Sequence, residues 1–195
     1  MKVHRNLLSL HGDNKVTEFA KLLLGINNNH GNYSARDHGL GPKILNENSN
    51  AATNSFLLAA KLQSLRNAND VPKIIRDAQI KYFKIGVGSE ASCMLNPQVC
   101  WIAKTRSIWT HLVFKREGNF SRANEELNLY RDEDETSEMA YGKWAAIHRA
   151  MKANLTEIAE QGSLLAKEAS VKPGEVKYLW ADAIANALYY WHHEE

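Results

Sequence analysis

The sequence has 195 residues, of which 44% are hydrophobic and 24% are charged, and its formal net charge is +2 at pH 7. This composition is typical of a folded globular chain and excludes a disordered tail. No apolar run approaches the roughly eighteen residues that a membrane span needs, and the first stretch, MKVHRNLLSLHGDNK, turns polar too soon for a signal peptide. We therefore expect a cytoplasmic protein that does not bind a membrane.

The charge is divided unevenly along the chain. Residues 1–116 hold 16 Lys and Arg against 7 Asp and Glu, a net +9, whereas residues 117–195 hold 8 against 15, a net −7. Such a chain favours a polyanionic partner or a second copy of itself, unless its two parts neutralise each other internally. We predict one all-α domain over residues 1–195, which the charge subdivides into a basic part, 1–116, and an acidic part, 117–195.

The first half of the chain shows helical spacing that one long polar stretch interrupts. A helix is predicted over residues 13–25, with Phe19 on its inward face. Residues 26–50 contain seven Asn and three Gly, which favour turns, so this stretch is predicted to be a long loop. Helical spacing then returns over residues 51–66 and 72–85.

The organising element is predicted to be a helix from Asn96 to Arg116. Asn96 followed by Pro97 has the signature of an N-cap and a first helical residue, because Pro has no N–H to leave unpaired. Apolar side chains then recur at the helical period and include Trp101 and Trp109, each of which buries on the order of 200 Å² in a core. We expect this helix to be the central helix of the domain, against which the others pack.

The C-terminal part is predicted to contain a long helix over residues 137–169, or two helices if the chain breaks within it. Its apolar and small positions form a heptad-like seam, on which His148 is expected to pack rather than to bind a ligand. Pro173 is predicted to open the last helix, with Trp180 and Ile184 on its apolar stripe. No segment shows the strict alternation of a strand, so we predict a bundle of about six to seven helices.

Cys93 and Cys100 are the only cysteines and are expected to be reduced thiols. If they shared one helix, seven residues would separate them by about 10 Å, which is too far for a disulfide. Two cysteines without a nearby pair of histidines also make a poor zinc signal. We therefore expect no metal and no cofactor.

One glycine-rich segment carries the side chains that phosphate chemistry uses, namely His30, Arg36, Asp37 and His38. A His can act as acid or base near neutral pH, an Asp can orient it, and an Arg can stabilise a developing anion. The spacing matches no metal-ligand or phosphate-binding motif. A small phosphoester hydrolase or nuclease is therefore an alternative hypothesis, and the sequence favours a protein that is not an enzyme.

Basic residues in and beyond this segment favour a different use, as a binding surface. Lys and Arg contact phosphates, and a row of them along helices can follow a nucleic-acid backbone with an affinity that falls steeply with salt. The candidate nucleic-acid-binding residues are Arg36, Lys61, Arg66, Lys73, Arg76, Lys81, Lys84, Lys104, Arg106, Lys115 and Arg116. We predict a binding protein that engages nucleic acid or another polyanionic partner through the basic face of residues 1–116.

A third hypothesis assigns the main contact to the acidic part of the chain. Four consecutive acids at residues 132–135 precede a predicted helix, where they complement its dipole. Acidic helices of this kind can also dock on a basic protein surface. The protein is then an interaction module, such as an inhibitor or adaptor, and the same helices can support a homo-oligomer.

Overall fold

A computed structural model describes residues 2–27, 33–130 and 138–193. Throughout these residues the regular secondary structure is helical, which confirms the predicted all-α class. The prediction of six to seven helices is wrong, because the described residues contain additional short helices in the first half of the chain. None of the helices in these ranges combines the length and the apolar character that a membrane crossing requires.

The helices belong to two compact units, Met1–Cys100 (unit 1) and Trp101–Glu195 (unit 2). Unit 1 contains α1 (Lys2–Gly12), α2 (Val16–Leu23), α3 (Ser34–Asp37), α4 (Leu40–Glu47), α5 (Ala51–Gln63), a 3-10 turn (Ala68–Asp70), α6 (Val71–Asp77) and α7 (Ile85–Leu95). Unit 2 contains α8 (Thr105–Lys115), α9 (Phe120–Asn128), α10 (Glu138–Glu168) and α11 (Lys177–His193). A single domain over residues 1–195 stays a prediction, and the charge boundary at residue 116 falls inside unit 2.

Unit 1 is built around α2, α5 and α7. Helix α2 packs on α1 and α5, and α7 packs on α1, α5 and α6. Phe19 is completely buried and meets the ring of Phe56 edge to face, with 5.4 Å between ring centroids. His11 stacks on the same Phe56 ring at 4.4 Å. This layer supports α4, which also packs on α5.

The long loop predicted for residues 26–50 is wrong over most of its described length. Helices α3 and α4 occupy much of it, and residues 28–32 lie outside the described residues. Helix α4 forms because Ile44 is completely buried, while Pro42 falls in the first turn, where a missing N–H leaves no bond unmade. Burial of an apolar side chain therefore overrides the turn preference of the Asn and Gly residues around it.

The helix predicted to start at Asn96 begins only at Thr105. Asn96 instead follows the end of α7, where its N–H donates to the carbonyl of Ser92 at 2.8 Å. Its side-chain amide Nδ2 donates, at 2.9 to 3.3 Å, to the carbonyl oxygens of Leu62, Gln63 and Leu65. Asn96 therefore closes the C-terminal end of α5, a tertiary role that its sequence neighbours do not reveal.

In unit 2, α10 is one continuous helix of 31 residues, which confirms the predicted long helix. It packs on α8 and α11. The predicted seam is buried from His148, which is completely inaccessible, through Met151 and Leu155. The seam ends before Leu165, which is 63% exposed.

The apolar stripe predicted for the last helix is buried only in part, because Trp180 and Ile184 lie against Gly162 of α10 whereas Trp191 is 61% exposed. Helix α11 begins at Lys177 rather than at Pro173, and its buried residues are Tyr178, Ala181 and Ala185. Alanines face the core because small side chains allow the helix to approach its neighbours closely. The predicted large residues, such as Ile184, are only partly buried.

Both cysteines are buried thiols outside any disulfide, in agreement with the expected reduced state. Burial raises the pKa of the Cys100 thiol to about 12, so this group stays protonated at neutral pH. A protonated, buried thiol is a poor nucleophile and a poor metal ligand.

Close packing at Gly88 gives a first testable prediction, for the variant Gly88→Ala. A Cβ at this position would lie 2.6 Å from Cγ1 of Ile75 on α6, so α6 and α7 would have to separate. We expect the free energy of unfolding to fall by about 1 to 3 kcal/mol, as for other overpacked cores. Urea denaturation followed by far-UV circular dichroism measures the change.

Gly142→Ala is the matched control. Gly142 also lies within a helix, α10, but a Cβ there would meet nothing within 4 Å. It should raise stability by about 0.5 to 1 kcal/mol through the lower chain entropy of Ala. Equal effects of the two substitutions would contradict the steric explanation.

Candidate functional site

Unit 1 carries the positive charge of the protein, with 12 Lys and Arg against 7 Asp and Glu, whereas unit 2 has 12 against 15. Six of the predicted basic residues of unit 1 are exposed and Lys84 is half-buried; the six are Arg36, Lys61, Arg66, Lys73, Arg76 and Lys81. On α6, Lys73 Nζ lies 3.6 Å and Arg76 Nε lies 3.7 Å from the carboxylate of Asp77. These exposed pairs contribute little to stability and leave the cations accessible to solvent.

The most ordered group of cations surrounds Tyr82, in the connection between α6 and α7. We call Lys43, Glu47, Asn48, Lys81 and Tyr82 the Tyr82 cluster. The Nζ atoms of Lys43 and Lys81 lie 4.1 Å and 4.9 Å from the centroid of the Tyr82 ring. Both distances are within the range of an attractive cation–π interaction. Two ammonium groups, one from α4 and one from the connection, are thus directed at a single aromatic ring.

Asn48, at the C-terminal end of α4, fixes the backbone of this connection. Its Oδ1 accepts a hydrogen bond from the N–H of Lys81 at 2.8 Å, and its Nδ2 donates to the carbonyl of Lys81 at 3.2 Å. The same Nδ2 donates to the carbonyl of Ile44 within α4 at 2.8 Å. One amide side chain therefore ties the two segments of the cluster together.

The backbone on both sides of Lys81 adopts the left-handed conformation. Gln79 has φ of 50° and Tyr82 has φ of 67°, values that bulky side chains rarely adopt. Each such residue costs on the order of 1 to 3 kcal/mol and persists only where other contacts require it. Here the hydrogen bonds from Asn48 and the contacts of the Tyr82 side chain hold the backbone in this conformation.

Glu47 is the one carboxylate of the cluster. Its Oε2 accepts hydrogen bonds from Lys81 Nζ and from the hydroxyl of Tyr82, both at 2.8 Å. These two bonds, from Lys81 first and Tyr82 second, lower the pKa of Glu47, and the bond to Glu47 in turn raises the pKa of Lys81. Both groups are therefore charged at neutral pH, and Lys43 leaves the cluster with net positive charge.

The predicted basic residues of unit 2 are engaged inside that unit. Lys115 Nζ and Arg116 Nη2 each lie 2.6 Å from a carboxylate oxygen of Glu126 on α9. Burial alone would raise the pKa of Glu126, but the hydrogen bonds from Lys115 and Arg116 outweigh it and lower that pKa. Removing either cation would leave this poorly solvated carboxylate with only one of its two charge partners.

Lys104 and Arg106 belong to a second internal network, with residues of α11. Lys104 Nζ lies 3.5 Å from Asp182 Oδ2, and Asp182 accepts a bond from Asn186 Nδ2 at 2.9 Å. Arg106 Nη1 donates to Asn186 Oδ1 at 3.2 Å, and its guanidinium lies 4.2 Å from the ring centroid of Tyr190. Burial raises the pKa of Asp182 despite the charge of Lys104 beside it. This network joins α11 to the start of α8.

The residues of the catalytic hypothesis are only partly described. His30 lies outside the described residues, and nothing is described of the Asp37 side chain. Arg36 and His38 are exposed, at α3 and in the turn after it. The acidic segment of the interaction hypothesis, residues 132–137, also falls outside the described residues. Within the described residues, no group of three or more His, Cys, Asp and Glu is placed to hold a metal ion.

Sequence reasoning found Lys81 but missed the rest of the Tyr82 cluster. Lys43 and Asn48 belong to a stretch that was predicted to be a loop, and Tyr82 falls within residues 72–85, which were predicted to be helical. The missing information is tertiary, because the bonds between Asn48 and Lys81 join positions 33 residues apart.

The sequence matches no protein-family model, no curated protein and no solved structure.

The role of Asn48 gives a second prediction, for Asn48→Ala. The substitution removes the amide that pairs with the N–H and carbonyl of Lys81, so we expect a loss of about 1 to 3 kcal/mol in the free energy of unfolding. Asn50→Ala is the control, because Asn50 precedes α5 without making a side-chain capping bond. Hydrogen exchange should show loss of protection over residues 78–84 in Asn48→Ala only, and intact protection there would contradict the assignment.

Proposed function

We propose that the protein is an all-α binding protein that engages nucleic acid, or a polyanion of similar charge density, through the basic surface of unit 1 around the Tyr82 cluster. The observation that carries the proposal is the convergence of Lys43 and Lys81 on Tyr82, with Glu47 as the one carboxylate of the cluster. Phosphate groups are the ligands that such ammonium groups bind in most nucleic-acid interfaces.

Preorganisation supports this role. A free lysine side chain loses rotamer freedom when it binds, whereas Lys43 and Lys81 are already held against a ring and Lys81 against a carboxylate as well. Part of the entropic cost of binding is therefore met in the free protein. The strained backbone at Gln79 and Tyr82 is consistent with a surface that is shaped for a partner rather than for stability.

Charge in the surrounding segments extends the cluster. Residues 40–48 and 71–85 together hold five Lys and Arg against two acids. The proposal does not include Lys104, Arg106, Lys115 and Arg116, because these side chains serve poorly solvated partners inside unit 2. Lys104 is only 12% exposed, and Lys115 and Arg116 neutralise the carboxylate of Glu126, which is 10% exposed, whereas Lys81 is 59% exposed. The binding surface is therefore narrower than the sequence alone predicted.

The double variant Lys43→Gln, Lys81→Gln tests the proposal. Fluorescence anisotropy with labelled single-stranded RNA, single-stranded DNA and duplex DNA should show weaker binding at low salt. Because each lost phosphate contact lowers the slope of log affinity against log salt by about 0.7 for single strands, the slope should fall by up to about 1.4. Inorganic polyphosphate as competitor distinguishes charge density from recognition of bases.

Lys152→Gln with Lys167→Gln is the matched control, since both lysines are exposed on α10 of unit 2. This variant removes the same charge and should bind like the wild type. Absence of binding to all of these polyanions by the wild type would refute the proposal, as would an equal loss of affinity in the two double variants.

A further inference from the structure

Two histidines in unit 2 join the segment at residues 101–115 to the long helix α10. His111 on α8 is only 3% exposed and contacts Asn154 of α10. His148 on α10 is completely inaccessible and stacks on the ring of Trp101, with 4.7 Å between centroids and 22° between ring planes. The indole Nε1 of Trp101 also donates to the backbone carbonyl of His148 at 2.9 Å.

The protonation state of His111 follows from its partner. Asn154 Nδ2 lies 3.1 Å from the backbone carbonyl of His111 and 3.1 Å from its ring Nδ1. A carbonyl can only accept, so the side chain of Asn154 must present its NH₂ group to both atoms. The ring Nδ1 is therefore an unprotonated acceptor. Adding a proton to Nδ1 would set two donors against each other and break this contact between α8 and α10.

The surroundings of His148 stabilise a positive charge even less than those of His111. Both of its ring nitrogens are buried, and neither has a hydrogen-bond partner among the residues that the structure describes. A neutral imidazole leaves one N–H donor unmet in this position, whereas the imidazolium would leave two donors and a full charge. The face of Trp101 attracts a cation to some degree, but it provides no acceptor for either N–H.

The charges around the two rings act in different directions. For His111 they are Lys115 on its own helix, which opposes protonation, and Glu126 on α9, which favours it but already binds Lys115 and Arg116. From α10, the neutral amide of Asn154 faces the ring. For His148 the nearby charge is that of Arg149, on the same helix, which opposes protonation. Tyr178 of α11 packs on Trp101, the ring on which His148 stacks. Lys104 belongs to the same segment and forms an ion pair with Asp182 of α11, whose pKa is raised by burial.

We propose that His111 and His148 form an acid-sensitive latch, which holds α10 against the segment at residues 101–115 while both imidazoles are neutral and releases it when they are protonated. Both contacts join α10 to residues 101–115, one at Trp101 before α8 and one at His111 within α8, and each contributes separately to the pH dependence. The latch is independent of the proposed polyanion binding, which involves unit 1.

The pH range follows from the direction of the shifts. Burial first, and then the nearby Lys115 or Arg149, lowers the pKa of His111 and of His148 from about 6.5 to about 4. The unfolded or released chain therefore binds protons more readily than the latched state between these values. Stability of the latched state is full above pH 6.5 and is lost as the pH falls toward 4.

All five tryptophans lie in unit 2, at positions 101, 109, 144, 180 and 191, so tryptophan fluorescence reports on this unit alone. Urea unfolding followed in this way, on the full chain, should give an unfolding equilibrium constant that rises about sevenfold per histidine between pH 6 and pH 5. Hydrogen exchange at pH 5 should show loss of protection in α10 while α2 and α5 keep theirs.

One substitution tests His111 and two test His148, so that the comparison survives if one variant fails to fold. His111→Asn keeps an acceptor for Asn154, and His148→Phe or His148→Met keeps an apolar side chain against Trp101. Each single variant should halve the pH dependence, and the double variant should remove it. His193→Asn, at an exposed histidine of the same unit, should keep the wild-type dependence. An unchanged slope in the double variant would overturn the latch, as would simultaneous loss of protection in α10, α2 and α5.

Discussion

Desolvation decides which charges of this protein are available to a partner. A charged group that leaves water has to be paired, and unit 2 follows this rule closely. The side chains of Lys104 and Asp182 are only 12% and 14% exposed and form an ion pair, and Glu126 is enclosed by Lys115 and Arg116. The acids of these pairs come from the acidic part of the chain and the bases from the basic part. Unit 2 thus neutralises much of the asymmetry that the sequence displays, and the accessible excess of positive charge belongs to unit 1.

The fold could be predicted from the sequence where the pattern is long and repetitive. The seam of α10 repeats over about three heptads, so local ambiguities average out. Asn96 could not be interpreted in this way, because Asn followed by Pro fits the start of a helix locally, whereas the actual partners of its amide are carbonyls at the end of α5. The core-facing alanines of α11 were missed for a related reason, since Ala181 and Ala185 are buried through close helix packing and not through their own hydrophobicity.

The candidate site shows the same division between local and tertiary information. Sequence alone identified basic residues, including Lys81, because charge is a property of the residue itself. It did not identify Lys43 or Asn48, since their roles depend on a connection that the chain reaches only after two further helices. Likewise, the seam predicted a packed His148, but only the neighbouring atoms reveal that neither ring nitrogen has a hydrogen-bond partner within the described part of the chain.

The position of Asn96 before Pro97 also affects the chemical lifetime of the protein. Spontaneous deamidation of asparagine proceeds through attack of the next residue's backbone nitrogen on the side-chain amide, and the nitrogen of Pro97 carries no hydrogen to lose in that reaction. Conversion to aspartate would direct a carboxylate at three carbonyl oxygens of the α5 terminus. Pro97, which in the sequence resembles a helix start, therefore protects the side-chain amide of Asn96 against deamidation. The C-terminal end of α5 depends on that amide.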